Sequence, residues 1–156
     1  MINNKSAKQQ SLFARYREDE LFEKLCSEHQ LKLGFLAVKR NGGSDGIDKQ
    51  TIDNFAANLN EEISKLSEEL KAWTYKPQPV RRVEIPKPDG GTRSLGVPCI
   101  RDRVVQAAIK QILEPILDPQ FSEHSYGFRP GKNQKQAIEA AQEIIKRGGK
   151  EIVVDI

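Results

Sequence analysis

An α+β fold, mostly helical with one antiparallel β-hairpin and a terminal strand, is predicted by three features of this sequence. Apolar residues recur at helical spacing over much of the chain, as in Val104, Ala108, Ile112 and Ile116. One "PDGG" turn separates two short β-prone runs, which is the local signature of a hairpin. The closing run "EIVVDI" is β-branched and almost wholly apolar, like a strand covered on both faces.

Taken in order, residues 1–16 are polar and aperiodic, which predicts a frayed or partner-dependent start. A first helix begins near Glu18, where "EDELFEKLCSEHQ" sets Leu21, Phe22, Leu25 and Cys26 on one stripe and gathers acids in the first turn. A second, "LKLGFLAVKR", ends in the glycine-rich loop "NGGSDGID". Asp48 or Thr51 can cap the next helix, which carries Ile52 and Phe55. A further amphipathic helix runs from about Asn60 to Trp73 with Ile63, Leu66 and Leu70 inward. The prolines of "YKPQPV" then stop helix and favour extended backbone.

"VRRVEIPK" and "TRSLGVP" are the hairpin strands, and "RDRVVQAAIKQILEPIL" is a long helix in which Pro115 predicts a kink or an early stop. The loop "DPQFSEHSYGFRPGKNQ" leads to a last helix whose buried face is expected from Ala137, Ile138, Ala141, Ile144 and Ile145, with "RGGK" as its C-terminal signal. The chain is thereby divided into an N-terminal extension and first helix (1–30), a helical segment (31–75), a hairpin with two long helices (76–150) and a truncated strand (151–156).

Composition narrows the class. With 37% hydrophobic and 30% charged residues, and no apolar run near the ~20 residues a bilayer requires, the expectation is a soluble protein with no membrane partner. "MINNKSAKQQ" has no apolar core of a signal peptide, and Cys26 and Cys99 have no metal-ligand spacing. Reduced thiols and a cytoplasmic location follow as expectations. Net charge is +3 but unevenly spread: −2 over residues 1–70, +5 over 71–132 and 0 over 133–156. A basic middle fits either an anionic partner, of which nucleic acid is the commonest, or a solvated charged face.

Three constellations could carry chemistry. Lys87 and Arg93 flank the hairpin turn, where two cations on neighbouring strands could neutralise a triphosphate or could simply solubilise the hairpin. Arg81, Arg82, Arg101 and Arg103 crowd the same region and suit backbone-phosphate contacts. In "HSYGFRPGKN", Tyr126 and Phe128 offer flat faces for stacking or for pinning the loop to the core, and Arg129 and Lys132 add charge before a helix N-terminus. In the third, "KRNGGSDGID", Asp45 and Asp48 are too few for a calcium loop, and turn geometry accounts for the glycines. His29 and His124 lack a partner carboxylate or a second histidine, so neither is expected to be catalytic or to bind metal.

The collinear stretch "YKPQPVRRVEIPKPDGGTRSLGVPCIRDRVVQAAIKQILEPILDPQFSEHSYGFRPGKNQKQAI" resembles the fingers region of group II intron reverse transcriptases, also called maturases. "AVKRNGGSDGIDKQTI" resembles the segment before those fingers, so the likeness runs from about Leu31 to Ile156; retron and CRISPR-associated relatives share parts of it. The resemblance implies the fingers part of a right-hand RNA-directed DNA polymerase. Lys87 and Arg93 match the fingertip pair on the incoming nucleotide, the Asn41–Asp48 loop, with Asn41 and Gly42, matches the template-touching insertion, and "SYGFRPG" matches the channel lining. It further implies RNA template, intron RNA, DNA primer and dNTP as partners, and Mg2+ in the full-length enzyme.

The family's first metal-binding aspartate aligns just past Ile156, with Asp155 as the alternative ligand, so this fragment is expected to lack a complete metal site and to be inactive alone. Two further readings stay open. One is a non-catalytic RNA-binding maturase module, and the other is a self-associating domain, possible as a homodimer through an unpaired strand edge.

Overall fold

A computed structural model describes residues 17–148, which divide at Pro115 into two compact units. The predicted N-terminal start, the terminal strand at 151–156 and Asp155 lie outside the described residues.

The first unit holds helices α1 (Glu18–Cys26), α2 (Glu28–Asn41), α3 (Ile52–Ala57) and α4 (Leu59–Lys71), then strands β1 (Arg81–Pro86) and β2 (Thr92–Val97). Helix α5 (Ile100–Leu117) follows and passes into the second unit in its last turn. Among the described residues this is the expected α+β mixture, mostly helical with one antiparallel two-stranded sheet.

The first helix break falls earlier than expected. Ser27, in extended backbone, ends α1 and starts α2: its Oγ donates to the Lys24 carbonyl at 2.7 Å and accepts from the Gln30 N–H at 3.2 Å. Of the two candidate caps for α3, Thr51 is the one used, its Oγ1 accepting from Asn54 N–H at 3.1 Å. Asp48 instead accepts from Gln50 N–H at 3.2 Å, a local turn.

The core packs Leu31, Phe35 and Val38 of α2 against Phe55, against Ile63, Leu66 and Leu70 of α4, and against Ile100, Val104, Val105 and Ala108 of α5. Helices α2 and α5 approach closely at Gly34, where a Cβ would lie 2.5 Å from the Val104 carbonyl oxygen. Three hydrogen bonds brace the polar margin of the core, while the buried Arg101 Nε has none. Gln30 donates to Gln111 at 2.8 Å, Gln111 to the Leu33 carbonyl at 3.1 Å, and Ser67 to the Cys26 carbonyl at 2.6 Å.

In the hairpin, Arg81 pairs with Val97 and Ile85 with Arg93. The turn closes through Lys87 N–H to the Gly91 carbonyl at 2.7 Å, with Gly90 at φ 85°.

Helix α5 does not stop at Pro115 but runs on to Leu117, and a 3-10 turn, Asp118–Gln120, follows. A proline in the last turn removes one bond, to the carbonyl one turn before it, and leaves the rest of the helical ladder intact. Helix α6 (Gln134–Gly148) starts with reciprocal Asn133 and Gln136 side-chain to backbone bonds of 3.0 and 2.9 Å. Its expected buried face is not buried: Ile138, Ile144 and Ile145 stay 45–52% exposed. The helical periodicity of the stripe holds, but none of the described residues covers it. No described helix is long and apolar enough to cross a membrane.

Candidate functional site

The hairpin sorts its residues by alternation. Arg81, Val83 and Ile85 form a half-buried face of β1, and their cross-strand partners Val97, Leu95 and Arg93 share it. At the tip, Lys87 and Arg93 border one open concavity of about 500 Å³, completed by Pro86, Pro88 and Asp89. Among the described residues neither cation makes an ion pair or a side-chain hydrogen bond. On the opposite face Arg82 donates to Glu84 at 2.8 Å, as does the Ser94 hydroxyl at 2.7 Å. The Ser94 bond first, and Arg82 second, hold the Glu84 carboxyl below its usual range. Arg82 nonetheless remains 75% exposed.

At the root of the hairpin the arginines are engaged. Arg81 Nε and Nη2 both donate to the Asp45 carbonyl, at 3.1 and 2.7 Å, with the Asp45 carboxylate 3.5 Å away. Arg103 donates from Nε to the Pro98 carbonyl at 3.0 Å and from Nη2 to the Ser44 carbonyl. Arg101 pairs with Glu69 and lies over the Tyr75 ring, 5.4 Å from its centroid. Asp102 is buried, accepting from the Tyr75 hydroxyl at 2.6 Å and from Gln78 N–H at 3.0 Å. Burial, reinforced by that bond to Asp102, pushes the Tyr75 hydroxyl above the usual tyrosine range.

The Asn41–Asp48 loop lies against this root. Gly46 is buried there, and a Cβ on it would sit 2.6 Å from Cys99 Cα. Asn41 and Gly42 at the other end are exposed, with Gly42 at φ 67° and open space around it. Cys99 and Cys26 are buried free thiols, each pushed upward by burial.

In the second unit Arg129 organises the loop before α6. It donates to the Asp118 carboxylate at 2.7 and 3.3 Å, to the Asp118 carbonyl at 2.9 Å, and to the carbonyls of Ser122 and Ser125 at 2.8 and 3.2 Å. The bond from Arg129 holds the Asp118 carboxyl low. Lys132 lies 5.0 Å from the Tyr126 ring centroid and donates to the Glu123 carbonyl at 3.2 Å. Phe128 is fully exposed, at φ 55°.

Sequence reasoning singled out the cations but missed Asp102, Tyr75 and Glu69, which fix the root. Asp102 is an acid in the first turn of a helix, a common feature, and Tyr75 and Glu69 carry no local signal of their pairing. Neither histidine joins a cluster, and no set of three or more His, Cys, Asp or Glu side chains among the described residues could hold a metal ion.

Residues 85–156 match the family described as reverse transcriptase (RNA-dependent DNA polymerase). The chain is 44% identical over 96 residues to protein YkfC of Escherichia coli, covering 62% of this chain and 24% of that protein. It is 39% identical over 104 residues to the group II intron-encoded protein LtrA of Lactococcus lactis, covering 66% and 17%. It is 37% identical over 110 residues to the putative COX1/OXI3 intron 1 protein of Saccharomyces cerevisiae, covering 69% and 13%. The chain thus spans less than a quarter of the length of each of these relatives.

Proposed function

We propose that this chain, a segment of the group II intron-type reverse transcriptase/maturase family, is the fingers part of an RNA-directed DNA polymerase and takes the incoming dNTP at Lys87 and Arg93. One observation carries the reading: two cations with no side-chain partner among the described residues border one concavity at the tip of an antiparallel hairpin. Lysine supplies a point charge and arginine a planar fork, and together they stabilise the negative charge that develops on a triphosphate during phosphoryl transfer.

In the first unit, template or intron RNA would meet the exposed Asn41, Gly42 and Arg82; in the second it would meet the exposed Phe128 and the half-buried Tyr126 and Lys132. Stacking on exposed aromatics with nearby cations suits single-stranded nucleic acid without sequence reading. Arg81, Arg101 and Arg103 in the first unit and Arg129 in the second would act through the fold instead, since each guanidinium is engaged by carbonyls or carboxylates of the chain. Residues 31–75 would form the pre-fingers segment and 76–150 the fingers. The family's Mg2+ would neutralise phosphoryl charge in the assembled enzyme, but the described residues offer no carboxylate set to hold it. In that assembly this segment's own contribution would be binding and positioning.

Two experiments test the reading. The chain should retain structured RNA on a filter at low salt and release it steeply as salt rises; no retention at low salt counts against it. With this segment replacing its counterpart in a full-length relative, primer extension on an RNA template should fall at least about tenfold on joint Lys87→Ala and Arg93→Ala substitution. Undiminished extension sinks the fingertip assignment, and RNA retention without it leaves a non-catalytic RNA-binding module. The exposed Ile138, Ile144 and Ile145 stripe favours a second reading, self-association with another copy of the chain, which a strictly monomeric mass in light scattering at all concentrations would exclude.

A further inference from the structure

The Asn41–Asp48 loop and the hairpin are separated in sequence, yet three successive loop residues are attached to the hairpin root. The Ser44 carbonyl takes Arg103, the Asp45 carbonyl takes both donors of the Arg81 fork, and Gly46 rests on Cys99 with no space for a side chain. Arg81 opens β1 opposite Val97, and Arg103 also holds the Pro98 carbonyl immediately beyond β2. The loop is thus attached to the start of β1 through Arg81 and, through Arg103 of α5 and Cys99, to the segment just beyond β2. Its exposed end, Asn41 to Gly43, carries the positive φ values and remains open.

We propose that Arg81 and Arg103 are positioning residues that make this loop a rigid extension of the hairpin, so that nucleotide held at the tip and nucleic acid held at the loop strengthen each other's binding. The inference deepens the reading of the tip as a triphosphate site and rests on it for the coupling, while the lock itself stands on contacts within the chain. Ordering either end of a shared rigid body lowers the entropy lost when the other end binds, and such coupling is reciprocal. Lysine at either position would keep the charge but lose the fork, which gives two donors to the Asp45 carbonyl from Arg81 and joins the Pro98 and Ser44 carbonyls from Arg103.

The two thiols give a readout that needs no ligand. Cys99 lies under Gly46, whereas Cys26 lies in the core near the end of α1. In the full 156-residue chain, the Arg81→Lys, Arg103→Lys double substitution should speed labelling of Cys99 by a thiol reagent about tenfold or more while Cys26 labels at its original rate. An unchanged Cys99 rate, or equal acceleration at both thiols, overturns the lock.

Coupling is then read with fluorescein-labelled oligouridylate and dTTP, which do not base-pair with each other. Saturating dTTP should tighten RNA binding about threefold or more in the original chain, and the double lysine substitution should abolish that effect. Coupling that survives the substitution overturns the proposal. Selective Cys99 exposure without any dTTP binding instead overturns the tip reading and leaves the lock standing.

Discussion

The two ends of the hairpin use the same residue chemistry in opposite ways. At the root, Arg81, Arg101 and Arg103 each give their donors to a carbonyl or carboxylate of the chain. At the tip, Lys87 and Arg93 have no protein partner among the described residues. A guanidinium satisfied within the fold positions what surrounds it, whereas one left in solvent beside a concavity is available to an anion. Cation count along the chain does not separate these roles, but the identity of the acceptor does.

Breaking the root should have the largest effect on stability. Asp102→Ala leaves the Tyr75 hydroxyl and the Gln78 N–H without their shared acceptor, removes the carboxylate 4.0 Å from Arg101 Nε, and should cost about 3 kcal/mol in urea unfolding. Gly46→Ala follows, at about 2 kcal/mol, because its methyl would overlap the Cys99 backbone rather than a movable side chain. A variant as stable as the original would mean the loop is not seated on the root.

Tyr75→Phe should cost about 1 kcal/mol at neutral pH through the lost bond to Asp102. It also tests a pH dependence. The folded-state hydroxyl holds its proton above the range in which the unfolded chain releases it, near pH ~10, so this stability is present below that pH and is lost as pH rises beyond it. The alkaline fall in Tm should be shallower in Tyr75→Phe, and an unchanged slope would count against the buried bond. The smallest stability effect belongs to the tip. Lys87→Ala with Arg93→Ala should change unfolding free energy by less than about 0.5 kcal/mol, since neither side chain holds anything in place. A large stability loss there would erase the contrast between the two ends.

Much of this was legible locally. The Asp89-Gly90 pair announced the hairpin, the Ile63, Leu66 and Leu70 spacing gave the inward face of α4, and Val104, Ala108, Ile112 and Ile116 gave that of α5, all of which are buried. The Ser27 break was harder to place because the apolar stripe continues through it, and only the two hydrogen bonds of its hydroxyl show where one helix yields to the next. The face of α6 was legible as periodicity but not as burial, since periodicity does not say what covers it.

The candidate site was legible in part. Lys87 and Arg93 were found from the turn they flank, which is local. The employment of Arg81 and Arg103 depends on acceptors 36 and 59 residues away, Asp45 and Ser44, and no window along the chain contains both ends of those bonds. Arg129 was closer to readable, because Asp118 lies only 11 residues upstream, yet an Arg beside Tyr and Phe in a glycine-rich loop has the same appearance whether it faces RNA or its own backbone.

Phe128 is a position at which the fold would gain by losing its side chain. Its ring covers nothing, and its left-handed backbone would suit glycine better. A redesign directed at stability alone would therefore begin there, and would remove the most accessible aromatic surface the loop offers to a nucleic-acid base. The loop braced by Arg129 marks a place where the optimum of the isolated fold and the optimum of its proposed task diverge.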